Sequence, residues 1–407
     1  MKPPLPKGRL LILVGAMVAL LSGLDAALLR LGLKAPVASM DLASLHGVLM
    51  IFGFLGAAIT LERAVALQSD RRRISLWAYL SPVAAVAGTS LALTQIALHG
   101  AEATRLLPAL AWSASMALLV GIYVVVWRKQ PMIAVLIQAL GAVAGLAGIL
   151  LWGRGFEIAQ IVPWWCAFLI FTIIGERLEL ARITFARGST EARVLGEVIL
   201  TCVGLVMTLF APALGYPLLG LALVIVAIDT ARHDIALRTI RLPGAPRFMA
   251  ACMLAGYAWM IVAGSIWVIR GPVFSGYGYD TVVHALTIGF ALSMVLAHAP
   301  VIIPAIARRD LPYNRAMWAV WGSLQLGLVI RALAGARMAE GAWQFGGALD
   351  IAGVLAFVVV TVTTIVIAGR PRTKPTAKPT AKPAGKPTTK PTPAAEQTPE
   401  PSPGAAK

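Results

Sequence analysis

The chain has 407 residues, of which 58% are hydrophobic and only 13% are charged, and its formal net charge is +17. Apolar runs of roughly 20 residues recur along it, and a helix of that length spans the hydrocarbon core of a bilayer. This composition excludes a soluble globular protein. The basic residues are spread over many short loops, which argues against a nucleic-acid-binding surface.

The sequence predicts an all-α fold, a polytopic bundle of twelve transmembrane helices within the lipid bilayer. In chain order the predicted spans cover residues 9–31, 42–66, 75–98, 104–127, 131–152, 158–181, 193–212, 213–230, 247–270, 280–305, 314–336 and 346–369. The junction between the seventh and eighth spans falls within the short stretch "APALGYP".

The basic residues also predict how the bundle is oriented. With a cytoplasmic N-terminus, the basic N-terminal segment, the "RRR" at 71–73 and most of the basic loop residues fall on the inner side. The outer side carries only Arg30, Lys34, Arg105, Arg154, Arg270, Arg331 and Arg337. The positive-inside rule then places both termini in the cytoplasm of a bacterial inner-membrane protein. The alternative, a cleaved N-terminal signal peptide, lacks a clean small-residue cleavage site.

The composition changes abruptly at Arg370. From Lys374 to Lys390, Lys-Pro recurs every four residues, and proline at this density prevents regular helix and sheet. We therefore predict two parts, a transmembrane domain over 1–369 and a disordered cytoplasmic tail over 370–407. The lysines of the tail either contact anionic headgroups or remain solvated.

A weak threefold sequence repeat relates the second, sixth and tenth spans. Each has a phenylalanine followed eight residues later by an ionisable residue; the pairs are Phe54 and Glu62, Phe168 and Glu176, and Phe290 and His298. This spacing is typical of three pseudo-repeats of four helices around a common axis. The alternative is chance, because such pairs arise easily in apolar sequence.

Two histidines lie at matching depth near the outer boundary. His46 follows Asp41 in the second span, and His284 follows Asp280 in the tenth, which puts both about 6 to 8 Å below the outer ends. Facing imidazoles in a helix bundle can supply both axial ligands of a haem iron. We expect His99 and His233 to be solvated loop residues.

The same outer layer contains several other ionisable residues, namely Asp25, Arg30, Arg331, Arg337 and Asp350. Groups at this depth normally face the protein interior and have a partner. One hypothesis pairs Arg331 or Arg337 with haem propionates. The other is a structural ion pair between Arg331 and Asp350.

A second group of ionisable residues lies near the cytoplasmic ends of the spans. It contains Glu62, Arg63, Glu176, Arg177, Glu179 and His298. His298 lies ~21 Å deeper than His284 and cannot share an iron with it. The group is either a set of ion pairs at headgroup level or a proton or ion path entered from the cytoplasm.

The stretches "LHGVLMIFGFLGAAI" and "DTVVHALTIGFALSM" resemble the histidine-bearing helices of haem-copper oxidase subunit I. "HALTIG" is also similar to the NnrS family of twelve-span proteins, which are linked to haem and copper binding and to nitric oxide response. The resemblance covers the membrane part up to about residue 369. It implies haem b with His46 and His284 as ligands of the low-spin haem.

The sequence departs from the oxidase pattern in two places. The sixth and seventh spans contain no histidine, and the tenth has His284 where the family has two neighbouring histidines. The copper ligands are therefore missing, and oxygen reduction is not expected.

The sequence thus predicts a haem-binding membrane protein active in electron transfer, redox sensing or nitric oxide response. The rival is a proton-coupled secondary transporter in which Asp25, Arg331 and Asp350 bind a small solute. A structural or assembly protein without a site is a third possibility.

Overall fold

The computed structural model describes residues 7–68, 73–180 and 188–369. In these ranges twelve helices are long and apolar enough to cross a membrane, and no strand is present. The predicted all-α membrane bundle is therefore confirmed. The helices are α1 (Lys7–Arg30), α2 (His46–Gln68), α3 (Ser75–His99), α4 (Leu106–Lys129), α5 (Ile133–Gly153), α6 (Ile158–Glu179), α7 (Glu191–Phe210), α8 (Pro212–His233), α9 (Ala245–Arg270), α10 (Gly276–Ala307), α11 (Ala316–Ala336) and α12 (Glu340–Ala368). The tail predicted to be disordered lies outside the described residues.

The junction between α7 and α8 is as short as the sequence indicates. α7 ends at Phe210, α8 begins at Pro212, and only Ala211 lies between them. Proline is well tolerated in the first turn of a helix, where its missing N–H would have no intrahelical partner. The two spans therefore pack as an antiparallel hairpin.

α10 begins one turn earlier than the apolar run predicts, at Gly276 rather than 280. The extra turn is held by its neighbours, since the Tyr277 ring packs edge-on against Trp343 of α12 with centroids 5.5 Å apart. Hydropathy misses this turn because it consists of glycines and tyrosines, which are not strongly apolar. The consequence is that Asp280 lies on the helix, one turn before His284.

α2, α6 and α10 form the centre of the bundle. They are the most buried spans, with 61%, 78% and 61% of their most apolar window inside the protein. The rings of Phe52 on α2 and Phe168 on α6 stack with centroids 6.2 Å apart, and α10 contacts both helices. The three spans singled out by the sequence alignment therefore lie together.

Two of these central helices contain a π-helical segment of the same length. The segments are Leu49–Gly56 in α2 and Ala285–Leu292 in α10, each of 8 residues. When the two sequences are aligned on Phe54 and Phe290, the two π-helical segments begin and end at equivalent positions. π-Helical turns occur mostly as local insertions and are frequent at functional sites. Here each begins just after a histidine, His46 in α2 and His284 in α10.

Candidate functional site

The structure brings together the two histidines that the sequence places at matching depth. The rings of His46 and His284 face each other across α2 and α10 with centroids 6.4 Å apart and planes inclined by 26°. Both side chains are only partly buried, and 16% of the His284 side chain is exposed although it lies within the bundle. Accessible space therefore reaches this pair of rings.

Hydrogen bonds fix the orientation of both rings. His46 Nδ1 donates to the Gly23 carbonyl of α1, and His284 Nδ1 donates to the Asp280 carbonyl, each at 2.8 Å. A carbonyl oxygen can only accept, so the neutral ring carries its proton on Nδ1. Among the described residues neither Nε2 has a hydrogen-bond partner. Both Nε2 lone pairs are therefore free to bind a metal.

A carboxylate lies behind His284 and is itself firmly held. Asp280 Oδ1 is 3.3 Å from His284 Nδ1, and Arg331 donates two hydrogen bonds of 2.6 Å to the two Asp280 oxygens. Trp343 Nε1 donates a third at 2.9 Å, and the Arg331 guanidinium lies over the Trp343 ring at 5.3 Å. This arrangement of carboxylate and imidazole is common behind metal-binding histidines.

Arg331 also reaches Asp350, but more loosely. Arg331 Nη1 is 3.8 Å from Asp350 Oδ2, and neither Asp350 oxygen has a hydrogen-bond partner in the described part of the chain although the residue is buried. The predicted Arg331–Asp350 pair is thus present as a long contact. The principal partner of Arg331 is Asp280.

The remaining outer candidates lie apart from this network. Arg337 is exposed at the end of α11, and Asp25 accepts a hydrogen bond of 3.1 Å from the Val37 backbone N–H. Arg30, also exposed, lies within electrostatic range of His46. Of the three residues proposed to bind a solute, Arg331 and Asp350 are therefore in long contact, whereas Asp25 has a different partner.

At the other end of α2 and α6, three carboxylates surround one guanidinium. Arg63 contacts its neighbour Glu62, lies 2.8 Å from Glu176 and lies 3.6 Å from Glu179. Gln138 of α5 donates a hydrogen bond of 3.2 Å to Glu179. We call this group the Arg63 cluster.

His298 belongs to a separate, deeply buried network. Arg177 donates to His298 Nε2 at 2.9 Å and to both Asp234 oxygens at 3.1 and 3.2 Å. Tyr257 donates a further hydrogen bond of 2.8 Å to Asp234. Because its Nδ1 donates to the Met294 carbonyl and its Nε2 accepts from Arg177, His298 has no free metal-binding nitrogen. The predicted group of Glu62, Glu176, Glu179 and His298 therefore divides between two networks.

The other histidines differ slightly from expectation. His99 and His233 are the last residues of α3 and α8 rather than loop residues, and both are exposed. Within the described ranges, no three His, Cys, Asp or Glu side chains are arranged to hold a metal ion. The facing pair of His46 and His284 is a two-ligand arrangement.

A family model described as a domain of unknown function, DUF8744, matches residues 9–366. The chain belongs to the DUF8744 family. The match spans the helical bundle, including both histidines and both inner networks, and stops before the tail. No curated protein matches the sequence. The assignment of a role to this DUF8744 chain therefore depends on its own geometry.

Sequence reasoning missed several residues of these networks in the DUF8744 chain. Asp234 lies in the loop after α8, and its signal in the sequence is a carboxylate among the arginines of that loop. Asp280 begins the predicted tenth span, and its spacing of four residues from His284, which places both on one helical face, is the signal of their contact. Gln138 is a polar residue within a span, which is itself a signal of an internal partner.

Proposed function

We propose that this chain is a haem-binding integral membrane protein in which His46 and His284 are the axial ligands of one haem b. The observation that carries the proposal is the facing pair of rings with both Nε2 atoms free. The resemblance of the two helices to those of haem-copper oxidases and NnrS proteins supports the same cofactor. The proposed role of the protein is electron transfer, redox sensing or nitric oxide response.

The spacing of the rings fits two imidazoles on opposite sides of one metal. With metal–nitrogen bonds of about 2.0 Å, such a pair has ring centres roughly 6 to 6.5 Å apart. The observed separation is 6.4 Å. Direct stacking of the two rings would favour a shorter distance, so the gap matches a metal between them better than a contact.

The residues around the rings also fit a metal-binding role. The Gly23 and Asp280 carbonyls hold the rings through Nδ1 and leave Nε2 without a hydrogen bond, and the Asp280 carboxylate increases the electron-donating strength of His284. A haem with two histidine ligands supplies one-electron transfer, with a potential tuned by its axial ligands and their hydrogen bonds. Arg331 acts in this scheme by positioning Asp280.

Of the two arginines expected to pair with haem propionates, Arg331 and Arg337, Arg331 is already occupied. Arg331 already donates two short hydrogen bonds to Asp280, whereas Arg337 and Arg30 are exposed at the same end of the bundle. We therefore assign the propionates to Arg337 or Arg30 and keep Arg331 in the support of His284.

The proposed setting is the bacterial inner membrane with both termini in the cytoplasm. The supporting observation is the excess of basic residues on one side of the bundle. The histidine pair would then lie near the periplasmic side.

A proton-coupled secondary transporter is the second candidate. The observation that favours it is the Arg63 cluster, since carboxylates inside membrane spans are typical of ion-coupled transport. Against it, the proposed solute ligands Asp25 and Arg331 have separate partners.

The absorption spectrum of the detergent-purified protein, expressed with ample haem, tests the proposal. We expect the Soret and sharp visible bands of six-coordinate low-spin haem. His46→Ala and His284→Ala should each give a five-coordinate spectrum or lose the cofactor, while His298→Ala, the matched control, should not change the spectrum. A colourless protein would refute the haem proposal and favour the transporter. A spectrum insensitive to both substitutions would retain haem but reject these ligands.

A further inference from the structure

The Arg63 cluster holds more negative than positive charge. It combines the carboxylates of Glu62, Glu176 and Glu179 with the single guanidinium of Arg63. The nearest other cation on α6, Arg177, is bound to Asp234 in the separate His298 network. If all three carboxylates were ionised, the described side chains of the cluster would carry two uncompensated negative charges.

This surplus charge lies inside membrane-spanning helices. Glu62 lies about 9 Å from the end of α2, at ~1.5 Å per residue. The side chains of Glu62, Arg63 and Glu176 are only 19%, 16% and 20% exposed. Uncompensated charge in such a place is costly, and a carboxyl group there normally becomes neutral by taking up a proton.

A buried tyrosine independently indicates a missing ligand in this cluster. Tyr123 of α4 is 1% exposed, and its hydroxyl has no hydrogen-bond partner among the described residues. The hydroxyl is within electrostatic range of Arg63 and of all three carboxylates. Glu62 Oε2 is also buried, and it contacts Arg63 Nε without a well-directed hydrogen bond. Both atoms would be satisfied by a proton on a carboxyl group or by a water bound to it.

The missing positive charge is better supplied by a proton than by a metal ion. In the described part of the chain, the carboxylates do not converge in an arrangement that could hold a metal. The guanidinium of Arg63 also lies among them and would repel a second fixed cation. A proton needs only one carboxyl oxygen and a hydrogen-bond acceptor.

We propose that the Arg63 cluster is a proton-binding site in which Glu62 and Glu176 carry at least one exchangeable proton at neutral pH. Tyr123 contributes a hydroxyl that hydrogen-bonds to the protonated group or to its water. Glu179, which is 39% exposed, connects the site to the end of the bundle. The site is independent of the histidine pair, so it stands whether or not haem is bound.

Infrared spectroscopy of the full-length protein during a pH titration tests this proposal. At neutral pH we expect a C=O stretching band of a protonated carboxylic acid that shifts in D₂O. Glu62→Gln or Glu176→Gln should remove intensity from this band, and Tyr123→Phe should shift it. The exposed Glu340 provides a control, since Glu340→Gln should leave the band unchanged. Asp350→Asn identifies any separate contribution from that buried carboxyl.

A stability measurement keeps the test decisive if a variant changes the spectrum by misfolding. Between about pH 4, the ordinary pKa of glutamate, and about pH 8, Glu62→Gln should lose less thermal stability than the unmodified protein, because it lacks one carboxylate of the surplus. A wild-type band that persists in both Glu→Gln variants, or the absence of any protonated-acid band at neutral pH, would overturn the proposal. So would a Glu62→Gln protein that loses the same stability over this pH range as the wild type.

Discussion

Asp280 and His284 are joined twice, because His284 Nδ1 lies 2.8 Å from the Asp280 carbonyl oxygen and 3.3 Å from its carboxylate. The carboxylate cannot easily turn away, since Arg331 and Trp343 hold both of its oxygens. α10, α11 and α12 therefore cooperate to orient one imidazole. The ion pair of Arg331 with Asp280 is therefore part of the candidate site and does not merely join two helices.

The first prediction concerns this support. Asp280→Asn removes the negative charge behind His284 and should weaken cofactor retention by about 10- to 100-fold, as loss of such supporting groups does at other metal sites. It should also raise the reduction potential, because the imidazole donates less electron density. Cofactor loss on dilution and a redox titration measure these effects. The exposed Asp310 is the control, and Asp310→Asn should change neither. Equal behaviour of the two variants would contradict a role for Asp280.

The second prediction concerns the buried Arg177 network. Arg177→Gln leaves Asp234 without its cation and His298 without its donor, and should cost about 3 to 5 kcal/mol of unfolding free energy. Thermal unfolding in detergent is the measurement. Arg193 is a matched control because it forms an ion pair with Asp229 while 44% of its side chain is exposed. Arg193→Gln should therefore cost below about 1 kcal/mol of unfolding free energy. Similar losses of unfolding free energy in both variants would contradict the claim that the buried Arg177 network stabilises the bundle.

The sequence predicts the bundle well and the inner networks poorly, for a physical reason. Hydropathy counts the spans because each must cover the hydrocarbon core, and the shared depth of His46 and His284 follows from their distance to the span ends. Depth says nothing about which way a side chain points around its helix axis. His298 therefore shares a depth with Glu62 but contacts Arg177, and Asp234 joins the network from a loop.

The third prediction tests the contact between α8 and α9. Gly220 and Gly264 pack backbone to backbone, and a Cβ added at either would overlap the carbonyl oxygen of the other. Small residues allow this approach between membrane helices. Gly220→Ala should therefore destabilise the bundle by about 1 to 3 kcal/mol. Gly322 of α11 is the control, since a Cβ there meets nothing within 4 Å. A Gly220→Ala protein as stable as Gly322→Ala would show that α8 and α9 do not approach this closely.

The fourth prediction concerns orientation. A tag placed after Lys407 should be inaccessible to a membrane-impermeant reagent added from the periplasmic side, because twelve spans and the basic asymmetry put both termini in the cytoplasm. A tag before Met1 should behave in the same way. Labelling of only one of them would exclude an even number of spans. Labelling of both from the periplasm would invert the orientation.

The central claim is that a haem iron lies between His46 and His284, and a cryo-electron microscopy map of the protein purified with ample haem tests it most directly. We predict planar density between α2 and α10, bonded on its two faces to the Nε2 atoms, with Asp280 still held by Arg331. A map of the haem-loaded protein in which the two rings have no density between them, or in which the macrocycle occupies another place, would contradict the account.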